Sequence, residues 1–116
     1  NYVATKIVGK LLYISGQISI SADGELIKGK IGKEFMGHNF VLLKDGVDVS
    51  AFAQKASSAR NSEYIPEGNE VIVHTKMLGG GESDTITFIA PENGFYTYIC
   101  SFPGHWGLMK GKLIVK

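Results

Sequence analysis

An all-β fold, an antiparallel sandwich or barrel of short strands with one helical insert, is predicted by three observations on this 116-residue chain. Short apolar and β-branched runs recur along its whole length. Turns rich in glycine or Asx separate them, and the 15 glycines are enough to punctuate that many reversals. Where a run is long enough, it alternates: in Thr85-Ile86-Thr87-Phe88-Ile89-Ala90 the threonines interleave with Ile86 and Phe88, the period-two mark of a strand with one buried face.

Taken in order, strands are expected around residues 6–8, 11–21, 25–29, 38–43, 70–76, 84–90, 94–100 and 110–115. Asp23-Gly24 supplies a hairpin turn between the second and third, and Gly79-Gly80-Gly81 a looser connection before the sixth. One stretch breaks the pattern. Val49, Phe52, Ala53, Ala56 and Ala59 recur at three- and four-residue intervals, which puts them on one side of a helix, with Asp48 or Ser50 as its cap. Pro66-Glu67-Gly68-Asn69 turns the chain back into a strand, so the helix reads as an insert covering one side of a β core.

The length fits one domain over residues 1–116, large enough to bury a core without disulfides. A net charge of +1 gives no electrostatic case for nucleic acid or a membrane surface, so any partner should dock through a local patch. No apolar stretch approaches the ~20 residues of a membrane span, and residues 1–5 lack the regions of a signal peptide. A chain opening on Asn1 is expected to be processed or trimmed. With one cysteine there is no internal disulfide from which to read a redox compartment.

That cysteine carries the chemistry. Cys100-Ser101-Phe102-Pro103-Gly104-His105-Trp106-Gly107-Leu108-Met109 gathers a thiol, an imidazole and a thioether within ten residues, and a second histidine stands upstream in Met36-Gly37-His38-Asn39-Phe40. One thiolate, two imidazoles and a weak axial thioether are the donor set of a blue-copper electron-transfer centre. Alternation places Tyr96, Tyr98 and Cys100 on one strand face and His38, Phe40 and Leu42 on another, so two inward faces would bring Cys100 and His38 to one end of the core. Pro103-Gly104 supplies the tight turn that returns His105 and Met109 to the same point. Asn39 is placed to tie the two ligand segments together, while Pro103, lacking an N–H, removes one donor near the sulfur.

These motifs resemble those of the cupredoxins, and within them the azurin branch. The loop Cys-x-Phe-Pro-Gly-His-x-x-Leu-Met-Lys-Gly is matched by residues 100–111, Met-Gly-His-Asn by residues 36–39, and Val-Ile-x-His-Thr-Lys by residues 71–76. The similarity runs from about Phe35 to Lys116. It implies an eight-stranded Greek-key β-sandwich with one short helical flap, holding one type 1 copper ion. His38, Cys100 and His105 would bind it in a trigonal arrangement, with Met109 and the backbone carbonyl of Gly37 as weak axial contacts. Asn39, Ser101 and Phe102 would support the ligands, and Met36, Phe102, Pro103, Trp106, Gly107 and Leu108 would ring His105 as a docking patch.

The resemblance further implies a carrier, not an enzyme, that shuttles single electrons between redox proteins such as c-type cytochromes or copper and haem reductases and oxidases. A periplasmic or otherwise exported location follows, with tethering upstream of Asn1 left open. Three departures from the family stand out: the N-terminal disulfide is missing, Trp106 replaces a small residue after the loop histidine, and Phe40 replaces a core tryptophan.

Plainer readings compete. A lone buried thiol is more often an inert small hydrophobe, a lone histidine a satisfied core or surface residue, and a lone methionine core filler; the spacing of Cys100, His105 and Met109 is what reverses those priors. His74 has no second ligand at metal-binding spacing and reads as a surface residue. Gly79-Gly80-Gly81 lacks the lysine of a phosphate loop, and Lys28, Lys30 and Lys33 read as a solvated face. Two other functions use the same residues: a Cys/His nucleophile, which lacks a carboxylate in the loop to orient the base, and a copper-handling or delivery protein. Zinc could also enter such a cage, since affinity alone does not select the metal.

Overall fold

In the computed structural model the described residues are 3–8, 11–17 and 36–116. Their strands are β1 (Val3–Val8), β2 (Leu11–Gln17), β3 (Val41–Leu43), β4 (Val71–His74), β5 (Ser83–Ile89), β6 (Gly94–Ile99) and β7 (Lys110–Val115), with helix α1 (Val49–Ser57) and a 3-10 turn (Arg60–Ser62) between β3 and β4. All pairings are antiparallel, and they make two sheets ordered β1-β2-β5 and β4-β3-β6-β7. The chain changes sheet after β2, after β4 and after β5, the crossovers of a Greek-key sandwich. The strand expected at residues 25–29, the Asp23-Gly24 turn and Lys28, Lys30 and Lys33 lie outside the described residues.

Strand β3, inside the four-stranded sheet, is buried on both faces, which is why Val41-Leu42-Leu43 shows no polar alternation. On one face Phe40, Leu42 and Tyr96 pack with Ile86 and Phe88 from β5, joining the two sheets. On the other, Val41, Leu43 and Ile99 pack against Phe52 and Ala56 of α1. Successive β3 side chains thus feed two different clusters, and a register shift between Leu42 and Leu43 bends the strand where this happens. β5, by contrast, alternates along its length, as its threonines predict.

Helix α1 forms where the three-four spacing placed it. Asp48 caps it, its carboxylate accepting from the Ala51 N–H at 3.1 Å, and Phe52, Ala53 and Ala56 make its buried side. The helix stops at Ser57, so Ala59, expected on the helix, instead precedes the 3-10 turn. Full burial of Phe52 contributes about 2–3 kcal/mol by area, and so anchors the flap to the sheet.

Candidate metal centre

Two segments meet at one end of the sandwich. The first is the approach to β3. His38 forms an isolated bridge to Leu78, its N–H donating to the Leu78 carbonyl at 2.9 Å and its own carbonyl accepting from the Leu78 N–H at 2.7 Å. Two residues on, the Phe40 N–H donates to Thr75 Oγ1 at 3.0 Å while the Thr75 N–H donates back to the Phe40 carbonyl at 2.9 Å. These paired bonds fix the backbone on both sides of the imidazole. Phe40 then carries the segment into the core, where its ring stacks on Tyr98 at 4.9 Å.

The second segment is the loop from β6 to β7. The Cys100 N–H donates to the Met109 carbonyl at 2.9 Å, closing the loop at its base. Inside it, the Met109 N–H reaches the His105 carbonyl at 2.8 Å, so residues 105–109 make one helical turn. Burial follows that turn: His105, Trp106 and Met109 are half-buried, whereas Gly104, Gly107 and Leu108 are exposed. Gly104 has φ +83°, a left-handed conformation that favours glycine, and it lets the chain reverse after Pro103.

The segments are tied by buried Asn39 and Ser101. Asn39 Nδ2 donates to Ser101 Oγ at 2.8 Å, and the Ser101 N–H donates to Asn39 Oδ1 at 2.8 Å. Both side chains are almost fully out of water, so these bonds satisfy groups that would otherwise be costly to bury.

The outcome is a cluster of His38, Cys100 and His105 whose donor atoms all lie within 4.8 Å of one another. Cys100 Sγ stands 3.9 Å from His38 Nδ1, 3.6 Å from His105 Nδ1 and 4.0 Å from the Gly37 carbonyl oxygen. A first-row metal with bonds near ~2.3 Å to sulfur and ~2.0 Å to nitrogen, at tetrahedral to trigonal angles, needs S···N separations of about 3.5–3.7 Å, within a few tenths of an ångström of those present. The residues therefore fit a metal ion. The imidazoles stack with centroids 4.8 Å apart, and Phe102 lies against His105 at 4.8 Å.

Electrostatics agree with the geometry. Burial pushes the Cys100 thiol up, an effect opposed by the backbone N–H groups of Asn39 and Phe102, one from each segment, which favour the thiolate. Burial lowers His105, and burial together with the neighbouring His105 lowers His38. Both histidines thus stay neutral and ready to donate nitrogen lone pairs.

Of the expected surrounding residues, Met36 (47 % exposed) and Leu108 (96 % exposed) stand out to solvent with Pro103 and Gly107, and Phe102 is half-buried against His105. Trp106 is set back from them. Its side chain packs against the cluster under α1, and Lys110 Nζ lies 5.4 Å above its ring, because the helical turn aims position 106 inward. His74 is exposed on β4, its Nδ1 2.7 Å from the Thr75 carbonyl, away from the cluster. Leu78 and Thr75 were not expected at the site. The only sequence signal for Thr75 is the Val71–Lys76 motif, which does not reveal its bond to Phe40.

Residues 3–116 match the family described as copper binding proteins, plastocyanin/azurin family. Among curated relatives, azurin-2 of Alcaligenes xylosoxydans xylosoxydans is 46% identical over 91 residues, 73% of this chain and 69% of that protein. Azurin of Achromobacter denitrificans is 43% identical over 90 residues, covering 73% of this chain and 60% of the relative. Among solved structures, dithionite-reduced auracyanin from Roseiflexus castenholzii is 42% identical, with a TM-score of 0.64 over 70% of this chain and 67% of that one. Auracyanin A, a "blue" copper protein from Chloroflexus aurantiacus, is 36% identical, with a TM-score of 0.65 over 70% and 68%.

Proposed function

The chain belongs to the plastocyanin/azurin family of copper-binding proteins, and on that footing we propose that it carries single electrons on one type 1 copper ion. The observation that carries the reading is the convergence of His38, Cys100 and His105, from the approach to β3 and a distant loop, onto one point. In this reading the three residues would hold the copper, and the Met109 thioether and the Gly37 carbonyl would be weaker donors to it. Copper bound there supplies a one-electron couple between Cu(I) and Cu(II).

The residues do the rest. Cys100 contributes a soft sulfur that favours the reduced ion, and the two N–H groups facing it withdraw charge from the thiolate and tune the potential. His38, held on both sides by backbone bonds, and Asn39, bonded to Ser101, keep the donor positions fixed, so little has to move when the charge changes. Phe40 and Tyr98 close the inner side against water. Around His105 the exposed Met36, Pro103, Gly107 and Leu108 give a patch for brief docking of redox proteins such as c-type cytochromes or copper and haem oxidoreductases.

A carrier is favoured over a Cys/His enzyme because residues 100–109 hold no carboxylate to orient a histidine base. Kinship with the azurins supports an exported, periplasmic setting for a carrier of this kind. The matched relatives are longer, this chain spanning 60% to 70% of their length. Among the described residues no helix is long and apolar enough to cross a membrane.

The test is to add Cu(II) to metal-free protein and record visible and EPR spectra. An intense thiolate-to-copper band with narrow copper hyperfine splitting is expected, and Cys100→Ser should lose the band. A weak band or wide splitting in the unmodified protein would overturn the type 1 assignment.

A further inference from the structure

Two consecutive residues that are not glycine, Glu63 (φ 54°) and Tyr64 (φ 63°), lie in the left-handed region that L side chains rarely adopt. Strain of this kind persists only where the surroundings over-determine it, and it gathers at functional sites. Here it is held firmly. The Glu63 N–H donates to the Arg60 carbonyl at 3.2 Å, the Tyr64 N–H to the Ala59 carbonyl at 2.8 Å and the Ile65 N–H to the Ser62 carbonyl at 3.1 Å. Ser62 Oγ donates to the Ile65 carbonyl at 2.7 Å, and Ile65 is packed into the cluster under α1.

What the strained turn does is aim a ring. Tyr64, half-buried, meets Phe102 edge to face at 5.2 Å and 65°. Phe102 in turn lies at 4.8 Å and 35° on His105, and His105 stacks on His38 at 4.8 Å. Edge-to-face and offset contacts at these separations are attractive beyond the area they bury. The backbone of each histidine is bonded through both its N–H and its carbonyl, His38 to Leu78 and His105 to Phe102 and Met109, so what is left to brace is the imidazole itself. His105 rides on a turn whose neighbours Pro103, Gly104, Gly107 and Leu108 are exposed, so a brace has to come from another element.

We propose that Tyr64 is a positioning residue for His105, bracing the imidazole through Phe102, and that the left-handed Glu63-Tyr64 turn is retained because it delivers that ring. The proposal rests on the reading of His105 as a copper ligand. It concerns the aromatic ring of Tyr64, which acts through Phe102 and touches no metal.

Two substitutions separate the ring from the turn. Tyr64→Phe keeps the ring. Tyr64→Gly removes it while tolerating the positive φ, so the turn itself survives. Histidine side-chain NMR on the metal-free protein reads the consequence directly. In the unmodified protein and in Tyr64→Phe the His105 imidazole should give one sharp set of signals. In Tyr64→Gly those signals should broaden or shift toward an averaged position, while those of His38, which stacks on His105, stay sharp and shift less.

After loading with Cu(II), Tyr64→Gly should also shift the thiolate-to-copper band and Tyr64→Phe should not. Ile65→Ala is the control for general loosening of the flap: a lower melting temperature with His105 signals unmoved. Unchanged His105 signals in Tyr64→Gly, or equal changes in Ile65→Ala, would overturn the brace. Absence of the band in the unmodified protein would overturn the copper reading instead, and the metal-free NMR would still decide the role of Tyr64.

Discussion

The two histidines of the cluster arrive at the same point by different physics. His38 sits in an isolated bridge leading into β3: its N–H and C=O both bond Leu78, and Phe40 two residues later is bonded both ways to Thr75. His105 belongs to a turn, fixed by a left-handed glycine, one helical hydrogen-bond cycle and rings leaning on its imidazole. The bridge-held donor is set mainly by backbone pairing, with one side chain, the Thr75 hydroxyl, helping to hold its segment. The turn-held donor depends on individual side chains, and so is the place where relatives can diverge while keeping the same cage.

The link between the two halves is the first place to break that contrast. Asn39→Ala leaves the buried Ser101 N–H and hydroxyl without their partners, and should cost about 3 kcal/mol in urea unfolding of the metal-free protein. Ser101→Ala removes a single bond and should cost about 1 kcal/mol. Because the two share a network, the double variant should cost less than the sum. Additive costs would show that the bonds do not join the segments.

Protonation gives the next largest effect, about 1.4 kcal/mol per pH unit for each proton linked to binding. Cys100 is raised and both histidines are lowered, so near neutral pH the metal-free cluster holds a thiol and two neutral imidazoles. Binding of redox-silent Zn(II) should then release one proton, and affinity should rise about tenfold per pH unit from 6.5 to 8. Titration in buffers of different ionisation enthalpy counts the protons. Release of two or three would mean that a histidine is charged in the metal-free protein. For stability the sign is opposite to that of a salt-bridged histidine. Below about pH 6.5 the unfolded chain takes up protons on His38 and His105 that the fold resists, so the metal-free protein should lose stability as pH falls through that value.

Gly104→Ala tests the turn alone. Nothing lies within 4 Å of the added methyl group, so only the left-handed backbone is penalised, by about 1 kcal/mol. The cost should come with a shift of the His105 NMR signals larger than that of His38. Smallest of all is Lys55→Gln, which breaks the ion pair to Glu70 between α1 and the start of β4. Lys55 is 48% exposed, and the change in stability should be at most about 0.5 kcal/mol, fading further with salt.

Much of this molecule can be read from residue order because its signals are local. Alternation in Thr85–Ala90 marks β5, three-four spacing marks α1, and Asp48 marks its cap. Two members of the metal cluster, Cys100 and His105, are legible for the same reason, standing five residues apart in one loop. Trp106 was harder. Its neighbours read as an exposed loop, but the helical turn from His105 to Met109 turns its ring back under α1, a consequence of one backbone hydrogen bond that composition does not reveal.

Sequence by itself determined the strand and helix periods, the chemistry of Cys100, His38, His105 and Met109, and the left-handed turn that Gly104 permits, all of which depend on side-chain type and spacing along a few residues. Tertiary structure decided the rest. Only the pairing of β3 with β6 in one sheet brings His38 within 3.9 Å of a sulfur 62 residues away, only the fold pairs Asn39 with Ser101, and only the strained turn after the 3-10 segment carries Tyr64 to Phe102. Those contacts join residues far apart in the chain, and their energies exist only once loop closure has been met by burial of the core.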